Sequence, residues 1–366
     1  MTHVFAAYDH AHMAHALRLA RRGLFTTHPN PRVGCVLAHG EQVVGTGFHQ
    51  RAGEPHAEVF ALRDAGDWAR GATAYVTLEP CAHHGRTPPC ADALIAAGVA
   101  RVVIAAEDPF PQVAGRGIGK LRDAGISVET GLLREQAREL NIGFFSRIER
   151  GRPWVRVKLA MSLDGRTALA DGESKWITGE AARADVQRWR ARSSAILTGS
   201  GTVLADNPRL TVRLPQEEAF TPPWRVLLDS QLRTPAGSHV LDGTAPTLVL
   251  HDAQSQPDDA RFHAAELAVV AMRDGVIDLA AAMSELARRH HSEVHVEAGP
   301  TLCGALLAAG LVDELLLYVA PLLLGDTARP LLNLPPLADM ASRWKLRTVD
   351  RRVIGDDMRL LLRPEA

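Results

Sequence analysis

Pro55-His56-Ala57-Glu58 and, further along, Pro80-Cys81-Ala-His-His-Gly-Arg-Thr-Pro-Pro-Cys90 decide how the first half of this chain is read. One histidine and two cysteines, His56, Cys81 and Cys90, can supply three ligands to zinc. The fourth position then stays open for water, as in a catalytic rather than a structural site. Zinc lowers the pKa of bound water far enough to make hydroxide near neutral pH. Such a site also needs a group to move protons between that water and a leaving amine. Glu58 fits that role without being a ligand. The pattern H-x-E…P-C-x-x-C is that of zinc base deaminases. Spacing adds a condition. Residues two apart on a regular helix point to nearly opposite sides. His56 and Glu58 therefore share a site only where a helix starts, and Pro55 is consistent with a start there. The bland alternative is a half-buried histidine and two core cysteines. Against it, each motif falls just after a turn or strand and just before a helix.

The gap between the cysteines is eight residues rather than two. The longer loop brings His83, His84 and Arg86 to the rim of the metal site. The planar fork of Arg86 suits a phosphate. His83 suits a polar heterocycle or proton transfer, and His84 reads as solvated.

Outward from this stretch, strand and helix signals alternate, which predicts an α/β layered domain. Helices are predicted at Asp9–Arg22, Ala57–Ala65, Ala91–Ala97 and from Leu132 to about Ser146. A hairpin is predicted from Val33–Leu37 and Val43–Phe48, with further strands at Ala72–Leu78, Arg101–Ala106 and Ile126–Glu129. RIERGRP at 147–153 is charged, holds Gly and Pro, and has no apolar period. It divides the chain into a domain at 1–147, a linker at 148–153 and a domain at 154–366.

The second half resumes α/β alternation but lacks G-x-G-x-x-G, so the usual dinucleotide fingerprint is missing. Its strand candidates are Trp154–Met161, Ala195–Gly199, Arg225–Asp229, Thr247–His251, Leu267–Met272, Glu293–Glu297 and Glu314–Val319. Its helix candidates are Glu180–Arg192, Ile277–His290 and Thr301–Ala309. Val294–Ala305, VHVEAGPTLCGA, reads as a strand, a glycine turn and a helix start, able to hold a pyrophosphate. Thr198-Gly-Ser-Gly-Thr202 is a second such turn. On spacing alone, ordinary strand-to-helix turns explain both equally well.

His-Ala-Glu with PCAHHGRTPPC, preceded by HPNPRVGCV at His28–Val36, closely resembles the bifunctional riboflavin-biosynthesis family. In that family a diaminohydroxyphosphoribosylaminopyrimidine deaminase is fused to a 5-amino-6-(5-phosphoribosylamino)uracil reductase. The resemblance spans essentially the whole chain. It extends to Lys158–Arg166 (KLAMSLDGR), Ser174–Thr178 (SKWIT) and Leu204–Pro208 (LADNP). It implies a cytidine-deaminase-like three-layer α/β/α domain followed by a dihydrofolate-reductase-like α/β domain. It implies Zn2+ on His56, Cys81 and Cys90, with Glu58 as proton shuttle. Asn30, His49, His83 and Arg86 would contact the first substrate, with Arg86 near its phosphate. In the second half, NADPH would touch Ala160, Trp176, Thr202, Asp206, Ser230 and Gly299, Pro300, Thr301, Leu302, Cys303, Gly304 and Ala305. The ribose-phosphate pyrimidine substrate would touch Ser174, Arg190, Leu210, Arg213 and Glu297. Arg190 and Arg213 suit a phosphate. Lys158 and Glu297 are the candidates for proton handling at the sugar. Hydride must come from a cofactor, because no side chain can supply one.

The 366 residues carry 41 Lys and Arg against 42 Asp and Glu, so there is no overall electrostatic pull toward nucleic acid. Aromatics at 5% offer little for base stacking, which weighs against a nucleic-acid base deaminase with a C-terminal binding module. Glu58 weighs against a second rival, a zinc-dependent binding protein without catalysis. Four cysteines are too few for a disulfide framework. The N-terminus lacks a signal peptide's apolar stretch, and no segment is apolar enough to span a bilayer. A cytoplasmic, soluble protein is therefore expected, and the resemblance implies a homo-oligomer, since domains of this class often pair through the second half. The histidine clusters His10, His12, His15 and His290, His291, His295 read as surface or interface residues.

Overall fold

The computed structural model describes residues 5–82, 89–111 and 113–365. It forms two compact units, Met1–Arg150 and Gly151–Ala366.

The first unit runs α1 (Ala7–Arg21), β1 (Gly34–His39), β2 (Gln42–Phe48), α2 (Ala57–Ala65), β3 (Thr73–Val76), α3 (Cys90–Ala97), β4 (Arg101–Ile104), α4 (Arg116–Asp123), β5 (Ser127–Thr130), α5 (Arg134–Leu140) and α6 (Ile142–Arg150). The sheet order is β2-β1-β3-β4-β5. β1 pairs antiparallel with β2 and β3, whereas β3, β4 and β5 run parallel. Strand residues alternate between two cores, as the pleat requires. Val36, Tyr75 and Val103 pack with Met13 and Ala16 of α1 and Ala137 of α5. Cys35, Leu37, Val76 and Ile104 pack with Ala61 of α2, Leu94 of α3 and Leu121 of α4. The result is a sheet between two helical layers.

Two expectations change in this unit. The helix expected from Leu132 to Ser146 is two helices, broken at Asn141. The Asn141 Oδ1 accepts from the Arg32 N–H (2.8 Å), and its Nδ2 donates to the Arg32 carbonyl (2.9 Å). An asparagine that mimics backbone in this way competes with helical continuity. The expected linker is also shorter, because α6 continues to Arg150 and leaves only Gly151–Pro153.

The second unit runs β6 (Trp154–Ser162), β7 (Arg166–Ala168), α7 (Glu180–Arg192), β8 (Ala195–Gly199), α8 (Ser200–Asp206), β9 (Trp224–Leu228), β10 (Thr247–His251), α9 (Asp259–Phe262), β11 (Glu266–Val269), β12 (Met272–Arg273), β13 (Val276–Ile277), α10 (Leu279–Arg288), β14 (Glu293–Val296), α11 (Pro300–Ala308), β15 (Glu314–Ala320), β16 (Arg329–Pro330), β17 (Leu346–Ile354) and β18 (Asp357–Pro364). The main sheet has the order β11-β10-β9-β8-β14-β6-β15-β18-β17. It is parallel from β11 through β15, and β18 and β17 close it as an antiparallel hairpin. One face is a continuous apolar core, with Val155, Val157, Leu197, Val294 and Val296 packed on Met283 and Leu286 of α10 and Leu306 of α11. The other face carries two smaller apolar clusters, one around Ile196, Leu227 and Val249, the other around Val186, Leu316 and Tyr318.

The expected strand at Leu267–Met272 is divided. β11 ends at Val269, and Met272 pairs with Ile277 across a turn at Asp274-Gly275, both with positive φ. The hairpin β17–β18 escapes a periodicity reading because most of β17 is exposed and polar, so it shows no buried face. His12, His291 and His295 are buried rather than on the surface, at 6%, 5% and 0% exposure. Among the described residues no helix is long and apolar enough to cross a membrane.

Candidate active sites

In the first unit His56 is the N-cap of α2, with extended φ −77° and ψ 168°. Glu58 is the second residue of that helix and is buried. The non-helical backbone at His56 lets two side chains of nominally opposite direction reach one spot. Cys81 follows β3, and Cys90 opens α3. The His56 Nδ1 lies 3.2 Å from Cys90 Sγ and 3.6 Å from Cys81 Sγ. The Cys90 N–H donates to Cys81 Sγ at 3.3 Å. The three ligand atoms lie within 4.8 Å of one another. One nitrogen and two thiolate sulfurs form a donor set suited to zinc. Among the described residues the buried Glu58 Oε2 has no hydrogen-bond partner, so a carboxylate oxygen is available to a bound group. Burial pushes the Glu58 carboxyl up to about 6, against the opposing pull of His56.

Asn30 and His49 stand beside these ligands. The Asn30 Nδ2 donates to His49 Nε2 at 3.1 Å, and His49 Nδ1 donates to the Pro55 carbonyl at 3.1 Å. The two bonds together place the proton of a neutral ring on Nδ1. Burial also pushes the His49 pKa down and favours that neutral ring. The His49 and His56 rings meet edge-on with centroids 5.4 Å apart. His83 and Arg86 lie outside the described residues. Asn141, absent from the sequence reading, anchors Arg32 and with it the loop that carries Asn30. An asparagine inside a helical run was the available signal.

In the second unit both glycine turns follow adjacent parallel strands, β8 and β14. The Gly299 N–H donates to Thr202 Oγ1 at 3.3 Å and joins them. Ser230 follows β9, Asp206 ends α8, and Ala160 lies near the end of β6. Ligands of open α/β sheets bind outside the carboxyl ends of the strands, where these positions cluster. Ser174 and Trp176 lie between β7 and α7, with Trp176 exposed and Arg183 4.6 Å from its ring centroid.

The turn at Gly299–Ala305 is narrower than expected as an anion site. Pro300 has no N–H, and the Cys303 N–H donates to the Gly299 carbonyl. Gly304 and Ala305 lie a turn into the helix, where amides are taken up by the helix itself. Thr301 and Leu302 stand in the first turn of α11, where a helix amide has no partner four residues back. The Cys303 side chain is in the core, and its thiol donates to the Ala298 carbonyl. A β-carbon on Gly304 would collide with the Asn333 backbone. The Leu210 side chain is buried with Val203, Leu227 and Val240, which leaves its backbone for contact with a ligand.

Arg156, Lys158, His295 and Glu297 form a polar strip, since their neighbours Val155, Val157, Leu159, Val294 and Val296 take the apolar face. The two arginines expected to share a phosphate have different positions. Arg190 binds Glu297 in a fork, Nε to Oε1 at 2.5 Å and Nη2 to Oε2 at 2.8 Å, and donates to the Thr211 carbonyl at 2.8 Å. The guanidinium of Arg213 has no ion pair among the described residues. Burial works against the charge of Glu297, but the Arg190 guanidinium overrides it and holds the carboxyl well below its usual range. Glu297 is therefore held as a carboxylate by Arg190. Burial pushes the Lys158 ammonium pKa down, with Glu297 opposing and Arg190 adding.

Two family models match the chain. "Cytidine and deoxycytidylate deaminase zinc-binding region" covers residues 7–106, and "RibD C-terminal domain" covers residues 153–360. Riboflavin biosynthesis protein RibD of Escherichia coli is 52% identical over 365 residues, covering 97% of this chain and 99% of that protein. A solved structure of Acinetobacter baumannii RibD aligns with TM-score 0.92 at 45% identity, covering 98% and 99% of the two chains. The Thermotoga maritima diaminohydroxyphosphoribosylaminopyrimidine deaminase/5-amino-6-(5-phosphoribosylamino)uracil reductase aligns with TM-score 0.86 at 33% identity, with the same coverages.

Proposed function

The chain belongs to the RibD family of riboflavin-biosynthesis proteins, zinc deaminase and NADPH-dependent reductase in one polypeptide, and from that premise we propose which residues perform each step. The first step converts 2,5-diamino-6-(5-phosphoribosylamino)pyrimidin-4(3H)-one and water to 5-amino-6-(5-phosphoribosylamino)uracil and ammonia. The second reduces the ribosyl group to ribityl.

His56 Nδ1, Cys81 Sγ and Cys90 Sγ hold the zinc. When bound, zinc supplies a Lewis acid that lowers the pKa of water toward neutrality. Glu58 takes a proton from the attacking water and returns it to the departing amine. Its buried Oε2, without a hydrogen-bond partner among the described residues, is the observation that carries this assignment. The raised pKa brings the group near the value a proton shuttle needs at neutral pH. Asn30 and His49 orient the pyrimidine; His83 and Arg86, which the resemblance assigns to the same substrate, lie outside the described residues.

In the second unit the Thr301 and Leu302 amides hold the cofactor pyrophosphate. Ala160, Trp176, Thr202, Asp206 and Ser230 position the rest. NADPH, when bound, supplies hydride, delivered to C1′ of the opened ribosyl group. Lys158 is the proton source, because burial makes its ammonium a readier donor. Glu297 steadies the adjacent charge. Ser174 and Arg213 take the substrate, with Arg213 on the phosphate.

The second unit pairs with a copy of itself. Support comes from β17, which ends its sheet with one side unpaired and exposes Leu346, Val349 and Val353. A single monomeric species by sedimentation at micromolar concentration would reject this.

The test of the two steps is a coupled assay that follows ammonia release and NADPH absorbance together. Wild type is expected to show both, and Glu58→Gln neither. NADPH loss that survives in the variant would mean that reduction does not require prior deamination. Absence of ammonia from zinc-loaded wild type would refute the first step.

A further inference from the structure

Glu79 lies between β3 and Cys81, and its carboxylate is buried. Both carboxylate oxygens are used on main-chain amides of one other segment. Oε1 accepts from the N–H groups of Gly117 (3.0 Å) and Ile118 (3.2 Å). Oε2 accepts from those of Gly115 (3.1 Å) and Asp108 (3.3 Å). Gly117 and Ile118 are the second and third residues of α4, whose amides an N-cap side chain usually takes. The N-cap residue here is Gly115, which has no side chain to offer and sits at φ 73°. Glu79 thus caps α4 from a different element and places negative charge at the positive end of that helix. The approach is close enough that a β-carbon on Gly117 would collide with the Pro80 carbonyl oxygen. The Glu79 N–H also donates to the Ala106 carbonyl at 3.0 Å, just past β4. Four amides in two pairs call for both oxygens of a carboxylate, because an amide side chain has one acceptor oxygen.

We propose that Glu79 is a positioning residue for the metal. By fastening Pro80 to the start of α4 it sets the direction in which Cys81 presents its thiolate to His56 and Cys90. This rests on the reading of His56, Cys81 and Cys90 as zinc ligands. Loss of an outer partner of a metal ligand typically changes metal affinity by about 10- to 100-fold.

The test uses the full chain and two readouts that need no substrate: zinc release to a chromogenic chelator, and the absorption spectrum of the cobalt(II)-substituted protein. Glu79→Gln keeps the side-chain shape but turns an amino group toward amide donors. Glu79→Asp keeps the charge but is one methylene short. Leu121→Ala loosens α4 from the core without touching Glu79, since Leu121 is fully buried on that helix. The expected result is zinc release about 10- to 100-fold faster in E79Q with shifted cobalt bands, and an intermediate effect in E79D. L121A should melt earlier yet release zinc at the wild-type rate with the wild-type spectrum. NADPH binding by the second unit reports that the remainder is folded. Wild-type release and spectrum in E79Q would overturn the proposal. So would faster release in E79Q and L121A in proportion to lost stability. If E79Q is recovered unfolded, E79D decides: unchanged release and spectrum overturn the proposal, and faster release with shifted bands supports it. A wild-type protein that takes up neither zinc nor cobalt would sink the ligand reading itself, a failure visible before any variant is made.

Discussion

Arg213→Ala and Arg190→Ala should separate two arginines that look equivalent in the sequence. In the structure Arg190 is committed to Glu297 through two bonds, with side chains 10% and 15% exposed, whereas the Arg213 guanidinium has no ion pair among the described residues. A hydrogen bond to a charged group is worth about 1.5–3 kcal/mol, and each 1.4 kcal/mol is about tenfold in binding. Arg213→Ala is therefore expected to raise KM for the phosphate-bearing substrate roughly 10- to 100-fold with little change in kcat. With the same substrate lacking its phosphate, the variant and wild type should have similar KM. Arg190→Ala leaves the Glu297 charge buried without its partner, a loss of about 3–5 kcal/mol for a buried pair. It should lower both kcat and the melting temperature for either substrate. The assay is initial-rate NADPH oxidation at varied concentrations of the deaminated substrate and its dephosphorylated form. An Arg213→Ala defect of equal size on both substrates would refute the assignment. An Arg190→Ala defect confined to KM of the phosphorylated form would reverse it.

Three further outcomes follow from the same geometry. Asn141→Ala removes two bonds to the buried Arg32 backbone. It should cost the first unit about 1–3 kcal/mol and raise KM for deamination, while NADPH oxidation on supplied deaminated substrate stays unchanged. Chelation of zinc should abolish ammonia release and leave that same NADPH oxidation intact; parallel loss of both would contradict separate sites. His291 is buried beside Trp224, and burial pushes its pKa from 6.5 down to about 4. The folded state therefore binds fewer protons than the unfolded state in this window, so His291 stabilises fully above pH 6.5. That contribution is lost as pH falls toward 4, by about 3 kcal/mol in all at 1.36 kcal/mol per unit. His291→Phe should flatten the melting-temperature profile between pH 6.5 and 4, and an unchanged profile would refute the assignment.

What could be read from the chain alone were features carried by local spacing. The helix at Ala57–Ala65 and its stop at Gly66 follow from apolar periodicity and a residue with positive φ. The need for His56 and Glu58 to meet at a helix start follows from helical geometry, and His56 is indeed the N-cap. The pairing of Cys81 with Cys90 as metal ligands is a matter of motif, and the convergence of their sulfurs on His56 Nδ1 agrees with it. Tertiary structure alone decided what depends on partners distant in sequence. The break at Asn141 exists because Arg32, 109 residues away, offers it a backbone to pair with. Arg190 is held by Glu297, 107 residues away, a partner that its type and local spacing do not name. Glu79 reads as one more acid before a proline until the fold brings the start of α4 to it. Side-chain type and spacing state what a residue is able to bind. Which group it binds is settled by the elements that pack against it, and long-range contacts leave no periodic trace in the sequence.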